Sequence, residues 1–203
     1  TPPWPEAELG GLFELTTLSS GSFSGKLTYA GTAHNFTGFL VNDADGQVTA
    51  TALIQRTGKP VLFIDFNLDT FADAVVGTIR NMASGSGAEV SVSAWRKVWS
   101  VANPATAFAG TYNFSIASVE GGNERAPGGY GYASCTVPSN GAAFDIKGRL
   151  PDGKPFVCSS LLGPRGQFII YQALYARAGS VLSQLSLNAP PDAESDGPSF
   201  VEV

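Results

Sequence analysis

An internal duplication constrains the fold of this chain more than any other feature of its sequence. Residues 21–40 return as residues 131–150, with equivalent positions 110 apart. Glycines and apolar residues coincide, and the matched pairs are Gly21 with Gly131, Leu27 with Val137, Gly31 with Gly141, Phe36 with Ile146, Gly38 with Gly148 and Leu40 with Leu150. Two copies of one pattern predict two copies of one structure, so the inward face is identified twice.

Each copy has the pattern of a β-hairpin. Apolar or small residues alternate with polar ones along both halves, and a glycine turn separates the halves. This period of two is typical of a strand with one buried face. The predicted inward residues are Phe23, Gly25, Leu27, Tyr29, His34, Phe36, Gly38 and Leu40 in the first copy, and Phe144, Ile146, Gly148 and Leu150 in the second return strand.

The repeat extends over most of the chain. An Asp-Gly pair follows the hairpin in both copies, at residues 45–46 and 152–153, and such pairs favour tight turns because glycine accepts a positive φ. Later strands also match, with Leu62, Ile64, Phe66 and Leu68 placed against Ile169, Tyr171, Ala173 and Tyr175. The pattern predicts an extended N-terminal segment (1–10), a first β repeat (11–94), a linker (95–109), a second β repeat (110–187) and a C-terminal tail (188–203).

The composition agrees with an all-β protein. The 203 residues include 24 Gly, only 14% are charged, and no long segment has a convincing helical period. Turn signals recur at the short spacing that is typical of sandwiches and barrels. The prediction is an antiparallel, internally duplicated barrel or sandwich of about 12 to 14 strands with little or no helix.

The charge of the chain argues against two classes of partner. The formal net charge is −5, and the lysines and arginines form no cluster. Nucleic acid requires a concentrated positive surface, and an anionic membrane attracts the same kind of surface. No apolar run approaches the roughly 18 residues of a transmembrane helix, so we predict no membrane insertion.

The end of the tail reads as a further strand. Apolar and polar residues alternate there after a turn-like Asp-Gly-Pro, over the residues Ser199, Phe200, Val201, Glu202 and Val203. Two positions for this strand are open. It closes its own repeat, as residues 89–94 close the first repeat, or it adds to a sheet edge of another subunit, either a copy of this chain or another surface protein.

The sequence offers little for catalysis. His34 is the single histidine, it lies at the position of Phe144 in the second copy, and no G-x-S-x-G motif accompanies it. We therefore expect a packed or rim histidine. The acids Glu14, Asp65, Asp69 and Asp73 could form a carboxylate pair of the glycosidase kind, but alternation places Asp65 on the outer face. We predict no enzyme activity and no cofactor.

Metal sites are weakly indicated as well. One histidine and two cysteines have no zinc-ligand spacing. The segment around Asp43 and Asp45 has the clustered acids of a calcium loop but lacks the distal glutamate. A plain hairpin turn is the preferred interpretation, with calcium as the alternative, and we assign no metal site.

Cys135 and Cys158 both fall on predicted core faces, with one strand between them. Strands two apart are roughly 9 to 10 Å apart, whereas a disulfide needs α-carbons within roughly 7 Å. We therefore predict two buried thiols, although secreted proteins often contain disulfides.

Aromatic residues provide an alternative function. Sugar rings bind to exposed aromatic faces, and the candidates for such contacts are Trp4, Trp95, Trp99 and Tyr130, together with the loop 119–130. A carbohydrate-binding module is therefore the second hypothesis. Trp95 and Trp99 also suit a packing role in the linker.

Several motifs resemble a known kind of module. These are G-Y-G-Y at 129–132, K-G-R-L-P-D-G-K at 147–154, Y-Q-A-L-Y at 171–175, Gly179-Ser180, and G-S-F-S-G-K-L at 21–27. Over residues 11–187 the chain resembles a duplicated all-β module of large secreted bacterial surface proteins. The resemblance implies an extracellular, non-enzymatic accessory or structural region, and it carries over no ligand. Our expectation is a secreted or cell-surface structural or adhesive subunit that assembles by terminal strand addition.

Overall fold

Most of the described chain folds into β-strands. The structure is a computed structural model and describes residues 10–43, 45–81, 83, 89–117 and 128–187. These residues contain fourteen strands in four sheets, and no α-helix is present among them. The predicted all-β, antiparallel and duplicated fold is therefore confirmed, in a sandwich-like form and not as a single closed barrel.

The first compact unit contains the described residues between 10 and 96 together with residues 173–180. Three strands form one sheet: β1 (Gly11–Thr17), β2 (Ser22–Tyr29) and β3 (Thr32–Phe39). Five strands form another, in chain order: β4 (Val41–Asn42), β5 (Val48–Ile54), β6 (Leu62–Asp69), β7 (Ala74–Asn81) and β8 (Glu89–Trp95). Both sheets contribute to one core, because residues from β2, β3, β5, β6, β7 and β8 form a single buried cluster.

The second unit contains residues 97–172 and 181–187 of the described chain. A four-stranded sheet has the order β12-β11-β10-β9, where β9 is Gly110–Ala117, β10 is Tyr130–Val137, β11 is Phe144–Arg149 and β12 is Pro155–Ser160. A two-stranded sheet pairs β13 (Gln167–Leu174) with β14 (Gly179–Ser186). The strand ends 173–174 and 179–180, with the 3-10 turn Tyr175–Arg177 between them, belong to the first unit.

Equivalent turns close in the same way in both repeats. In the first repeat Gly46 donates its N–H to the Asp43 carbonyl, and Asp43 donates to the Gln47 carbonyl, at 3.1 and 2.9 Å. In the second repeat Gly153 and Leu150 make the same two bonds at 2.8 and 2.9 Å, the latter to the Lys154 carbonyl. Both turn glycines have the positive φ that the Asp-Gly pattern predicts, +76° and +81°.

One predicted strand face is wrong by a single residue. We matched β6 to Ile169, Tyr171, Ala173 and Tyr175, but the fully buried residues of β13 are Phe168 and Ile170, at 1% and 0% exposure. Of the residues expected inside, Tyr171 is buried at 9% exposure, whereas Tyr175 is exposed. Because side chains alternate, a shift of one residue exchanges the two faces of a strand. The hairpin faces of β2, β3 and β11 are as predicted.

Two glycines make room for the aromatic rings of the first hairpin. Phe23 lies opposite Gly38 in the β2–β3 register, and Phe36 lies opposite Gly25. Each ring occupies the space over the facing glycine, so that a Cβ on Gly38 would come within 2.5 Å of the Phe23 Cζ. Phe23 and Phe36 then contact each other edge to face, at 6.2 Å between ring centroids. The pairing is reciprocal, and only a residue without a side chain fits at either glycine.

We therefore predict that Gly38→Ala lowers the free energy of unfolding by about 1–3 kcal/mol, the typical range for overpacking of a core. The measurement is chemical denaturation of the full chain. Gly128→Ala is the matched control, since Gly128 has open space around it and no positive φ. Equal stability of the two variants would contradict this role for Gly38.

Candidate functional site

The outer face of the four-stranded sheet carries exposed aromatic and cationic side chains. Strand β10 alternates strictly between exposed and buried residues, which directs Tyr130 and Tyr132 outward at 79% and 62% exposure. Strand β11 alternates in the same way and exposes Lys147 and Arg149. Tyr132 lies directly opposite Arg149 in the register. We call these four residues the aromatic-cationic face.

The cations of this face have no acidic partner among the described residues. Arg149 donates from Nη1 to the Gly153 carbonyl at 2.9 Å, which fixes the guanidinium beside the β11–β12 turn. Asp145 lies on the same side of β11 but forms no ion pair with Lys147 in the described structure. The small polar residues around the four include Asn113, Ser115 and Ser134, all exposed.

The acids considered for catalysis are held by separate partners in the first unit. Glu14 pairs with Lys26 at 2.5 Å, and Asp73 pairs with Arg96 at 3.4 Å. Asp65 pairs with Arg80 and accepts a hydrogen bond from the Thr51 hydroxyl at 2.6 Å. Asp69 accepts the backbone N–H groups of residues 71 and 72. Each carboxylate therefore has a structural partner.

The aromatic candidates occupy different environments. Trp99 donates its indole N–H to the Gly163 carbonyl at 2.8 Å and packs edge to face on Phe108. Trp95 is the last residue of β8 and lies opposite Ala74. Both rings are half-buried, whereas Tyr130 is exposed. Trp4 and residues 119–127 lie outside the described residues.

The second candidate site is the edge of β14. In the first unit, β7 has a ladder on each side, to β6 and to β8. The equivalent strand β14 buries Val181 and Leu185 as β7 buries Val75 and Ile79. Among the described residues β14 pairs with β13 alone. Ser199, Phe200, Val201, Glu202 and Val203, the predicted assembly strand, lie outside the described residues.

His34 has the environment of a rim residue. It is half-buried on β3, opposite Leu27. Burial lowers the pKa of His34 below its ordinary value of 6.5, and the positive charges of Arg56 and Lys59 lower it further. Arg56 itself is buried, donates from Nε to the Pro60 carbonyl and lies over the Tyr29 ring. The expectation of a packed or rim histidine is confirmed.

This environment gives a pH dependence with a definite sign. A histidine with a lowered pKa in the folded state favours folding above its ordinary pKa, and this contribution is lost as the pH falls below 6.5. We predict that the free energy of unfolding decreases in this range and that His34→Gln removes part of the decrease. NMR titration of the single histidine measures the pKa directly. A value at or above 6.5 would contradict the prediction.

Asp43 has a structural role in its turn. Its Oδ1 atom accepts the backbone N–H groups of Asp45 and Gln47 at 3.0 and 2.8 Å. This is how aspartate side chains usually stabilise turns. In the part of the chain that is described, no three histidine, cysteine or acidic residues are grouped closely enough to hold a metal ion.

The two cysteines are free thiols on one side of the sheet. Ile146 lies between them in the register, opposite both Cys135 and Cys158. The intervening strand is therefore as predicted, and Cys135 is buried, while Cys158 is only half-buried. Burial raises the pKa of the Cys135 thiol to about 11, and it also raises the pKa of Cys158.

The thiolate is the reactive form of cysteine. With its pKa raised from 9.0 to about 11, Cys135 should have about 100-fold less thiolate at pH 8 than in the unfolded chain. We predict a strong loss of iodoacetamide reactivity in the folded Cys158→Ser variant, where Cys135 is the one remaining cysteine and burial, the larger cause of its raised pKa, is retained. The control is the same variant in denaturant. Similar rates in both states would refute the buried environment.

Comparisons with known proteins identify no relative: no protein-family model, curated protein or solved structure matches the chain. The resemblance to surface-protein modules therefore stays a prediction. Within the described ranges, no helix has the length and hydropathy that a membrane span requires.

Sequence reasoning missed three residues of the aromatic-cationic face, Tyr132, Lys147 and Arg149. The alternation of residues 130–137 already places Tyr130 and Tyr132 on one side of a strand. Their position beside Lys147 and Arg149 follows only from the register between β10 and β11.

Proposed function

We propose that this chain is a non-catalytic structural or adhesive subunit of the bacterial cell surface or extracellular space, and that it assembles by strand addition. The observation that carries the proposal is the edge of β14. Its counterpart β7 has a neighbour on both sides, whereas β14 has only β13 among the described residues. An open edge of this kind presents a row of backbone donors and acceptors to another chain.

The sequence of β14 supports this role. Edge strands that must not associate usually carry charges, proline or bulges. The eight residues of β14, GSVLSQLS, contain no charged residue and no proline. Outward-facing Leu182 adds an apolar contact, at 52% exposure. The strand therefore has the features of an acceptor edge.

The proposed donor is the alternating segment Ser199, Phe200, Val201, Glu202 and Val203. In β-strand addition the backbone hydrogen bonds supply affinity, and alternate side chains supply specificity. Phe200 would be the largest apolar side chain of the inserted strand, with Val201 and Val203 on the opposite face. The partner in this proposal is a second copy of the chain or another surface protein.

The arrangement of acids also favours a structural subunit. Catalytic carboxylates of glycosidases lie in pairs across a cleft. Here Glu14, Asp65 and Asp73 pair separately with Lys26, Arg80 and Arg96, and Asp69 holds a turn.

Substitution of the β14 edge tests the assembly. Leu182→Lys places a charge on the proposed acceptor strand, and Val76→Lys is the matched control, because Val76 has the equivalent position on β7 with similar exposure. We predict oligomers or fibres for the intact chain and for Val76→Lys. Leu182→Lys, and a chain without residues 189–203, should remain monomeric. Sedimentation and negative-stain imaging distinguish these forms.

Two results would refute strand addition. One is a monomeric intact chain at every concentration tested, and the other is unchanged assembly of Leu182→Lys. Circular dichroism of each variant verifies that the β-structure is retained.

Carbohydrate binding is the second candidate function. It is favoured by the exposed Tyr130 and Tyr132 on one flat sheet face. Aromatic rings in such positions offer large rigid surfaces for contact.

A further inference from the structure

We infer that the aromatic-cationic face binds an acidic polysaccharide, with Tyr130 and Tyr132 stacking on sugar rings and Lys147 and Arg149 pairing with carboxylates of the polymer. This inference names the ligand class and residues of the carbohydrate-binding candidate and does not depend on the β14 edge. The ligand would be a chain of uronic-acid sugars.

The aromatic part of the site is a pair of rings on one strand. Tyr130 and Tyr132 are two residues apart, so their α-carbons are separated by about 7 Å, and both side chains stand on the same face. Their neighbours across β9 are Ala117 and Ser115, which are small. The rings therefore project above their small cross-strand neighbours on β9.

The cationic part lies beside the aromatic part. Arg149 is the direct cross-strand neighbour of Tyr132, and Lys147 faces Ser134 one step further along. The bond from Arg149 to the Gly153 carbonyl uses one of the five guanidinium N–H donors and positions the group. The planar guanidinium then suits a carboxylate, which it can bind through two parallel hydrogen bonds.

Comparison between the two repeats shows that the fold does not require these residues. The positions of Tyr130 and Tyr132 are taken in the first repeat by Ser20 and Ser22, at the same offset of 110. Lys147 and Arg149 correspond in the same way to Thr37 and Phe39. Because β2 and β3 form the same hairpin without them, a role in folding does not explain the four residues in the second repeat.

The charge of the face distinguishes this ligand from others. In the first unit Lys26 and Arg80 are neutralised by acids of the same unit. Lys147 and Arg149 have no such partner in the described structure, so their charges are available to a ligand. Two cations on a chain of net charge −5 are few for a nucleic-acid backbone, which needs a continuous positive track. An acidic polysaccharide carries sparse carboxylates and many hydroxyl groups. The carboxylates match the two cations, and the hydroxyl groups match the polar side chains of Asn113, Ser115 and Ser134 around them.

Isothermal titration of the full chain tests the inference with three polymers: polygalacturonate, alginate and hyaluronate. We expect the intact chain to bind at least one of them, with an affinity that falls as salt is added. Tyr132→Ser and Lys147→Thr install the first-repeat residues and should each weaken binding about tenfold, as truncation of an interface residue that costs more than about 1 kcal/mol does. Methyl esterification of polygalacturonate, or methyl or amide capping of the other polymers' carboxylates, should weaken binding similarly.

Matched controls are available in both units. Phe39→Ser removes an equally exposed aromatic ring of the first unit, and Lys97→Thr removes an exposed cation outside the face. Both variants should bind like the intact chain. If they weaken binding as much as Tyr132→Ser and Lys147→Thr do, the face is not the site.

Three results would overturn the inference: binding to none of the three polymers, equal binding to the carboxylate and its neutral derivative, or tighter binding to single-stranded oligothymidylate. Sedimentation of Tyr132→Ser in parallel separates this inference from the assembly proposal. Unchanged assembly with polysaccharide binding weakened about tenfold is the expected combination. Lost assembly in this variant would indicate a general structural defect, and the inference would then stand or fall on the binding of Lys147→Thr.

Discussion

The packing of phenylalanine rings against glycines is the constraint on which the first unit depends. Phe23 and Phe36 each occupy the space that a side chain at the facing glycine would need. This brings both rings toward the centre, where Phe66 contacts Phe23 at 5.3 Å and Phe13 contacts Phe36 and Phe66. A sheet packs well against its core when large and small residues alternate across neighbouring strands. The Phe–Gly pairs of β2 and β3 supply that alternation.

The second unit repeats the backbone without repeating the aromatic positions. Its ring cluster is Phe114, Phe144 and Phe168, with Phe168 in contact with both others. In the matched hairpin register His34 of the first repeat stands where Phe144 stands in the second, and Thr17 stands where Phe114 stands. The two cores therefore distribute their large side chains differently over the same kind of hairpin, as cores that keep their hydrophobic pattern can. This explains why a residue such as His34 can sit half-buried at a core position.

The alternation of residue types and the positions of glycines were sufficient to predict most of the fold. A strand with one buried face requires apolar residues at every second position, and a turn with a positive φ favours glycine. The inward face of β13 was predicted wrongly by one residue. Its sequence, QFIIYQAL, is nearly all apolar, so no alternation of apolar and polar residues distinguishes the two faces. The candidate sites were less predictable. Tyr130 was recognised, but its neighbours Lys147 and Arg149 are 17 and 19 residues away in the sequence, and only the strand register joins them.

The two proposed sites use different parts of the same β-structure, and this separates their chemistry. A strand edge binds another chain through backbone groups, which every sequence possesses. Whether an edge binds therefore depends mainly on the charges, prolines or bulges that would prevent pairing. A face binds through side chains, which the fold leaves unspecified where they point to solvent. Duplication therefore affects the two differently: an open edge arises where a repeat lacks a paired strand, while a face changes by substitution alone. Among the described residues, β14 has one neighbouring strand where β7 has two, and the four outward residues of β10 and β11 differ from their first-repeat equivalents, although the core hairpin is retained.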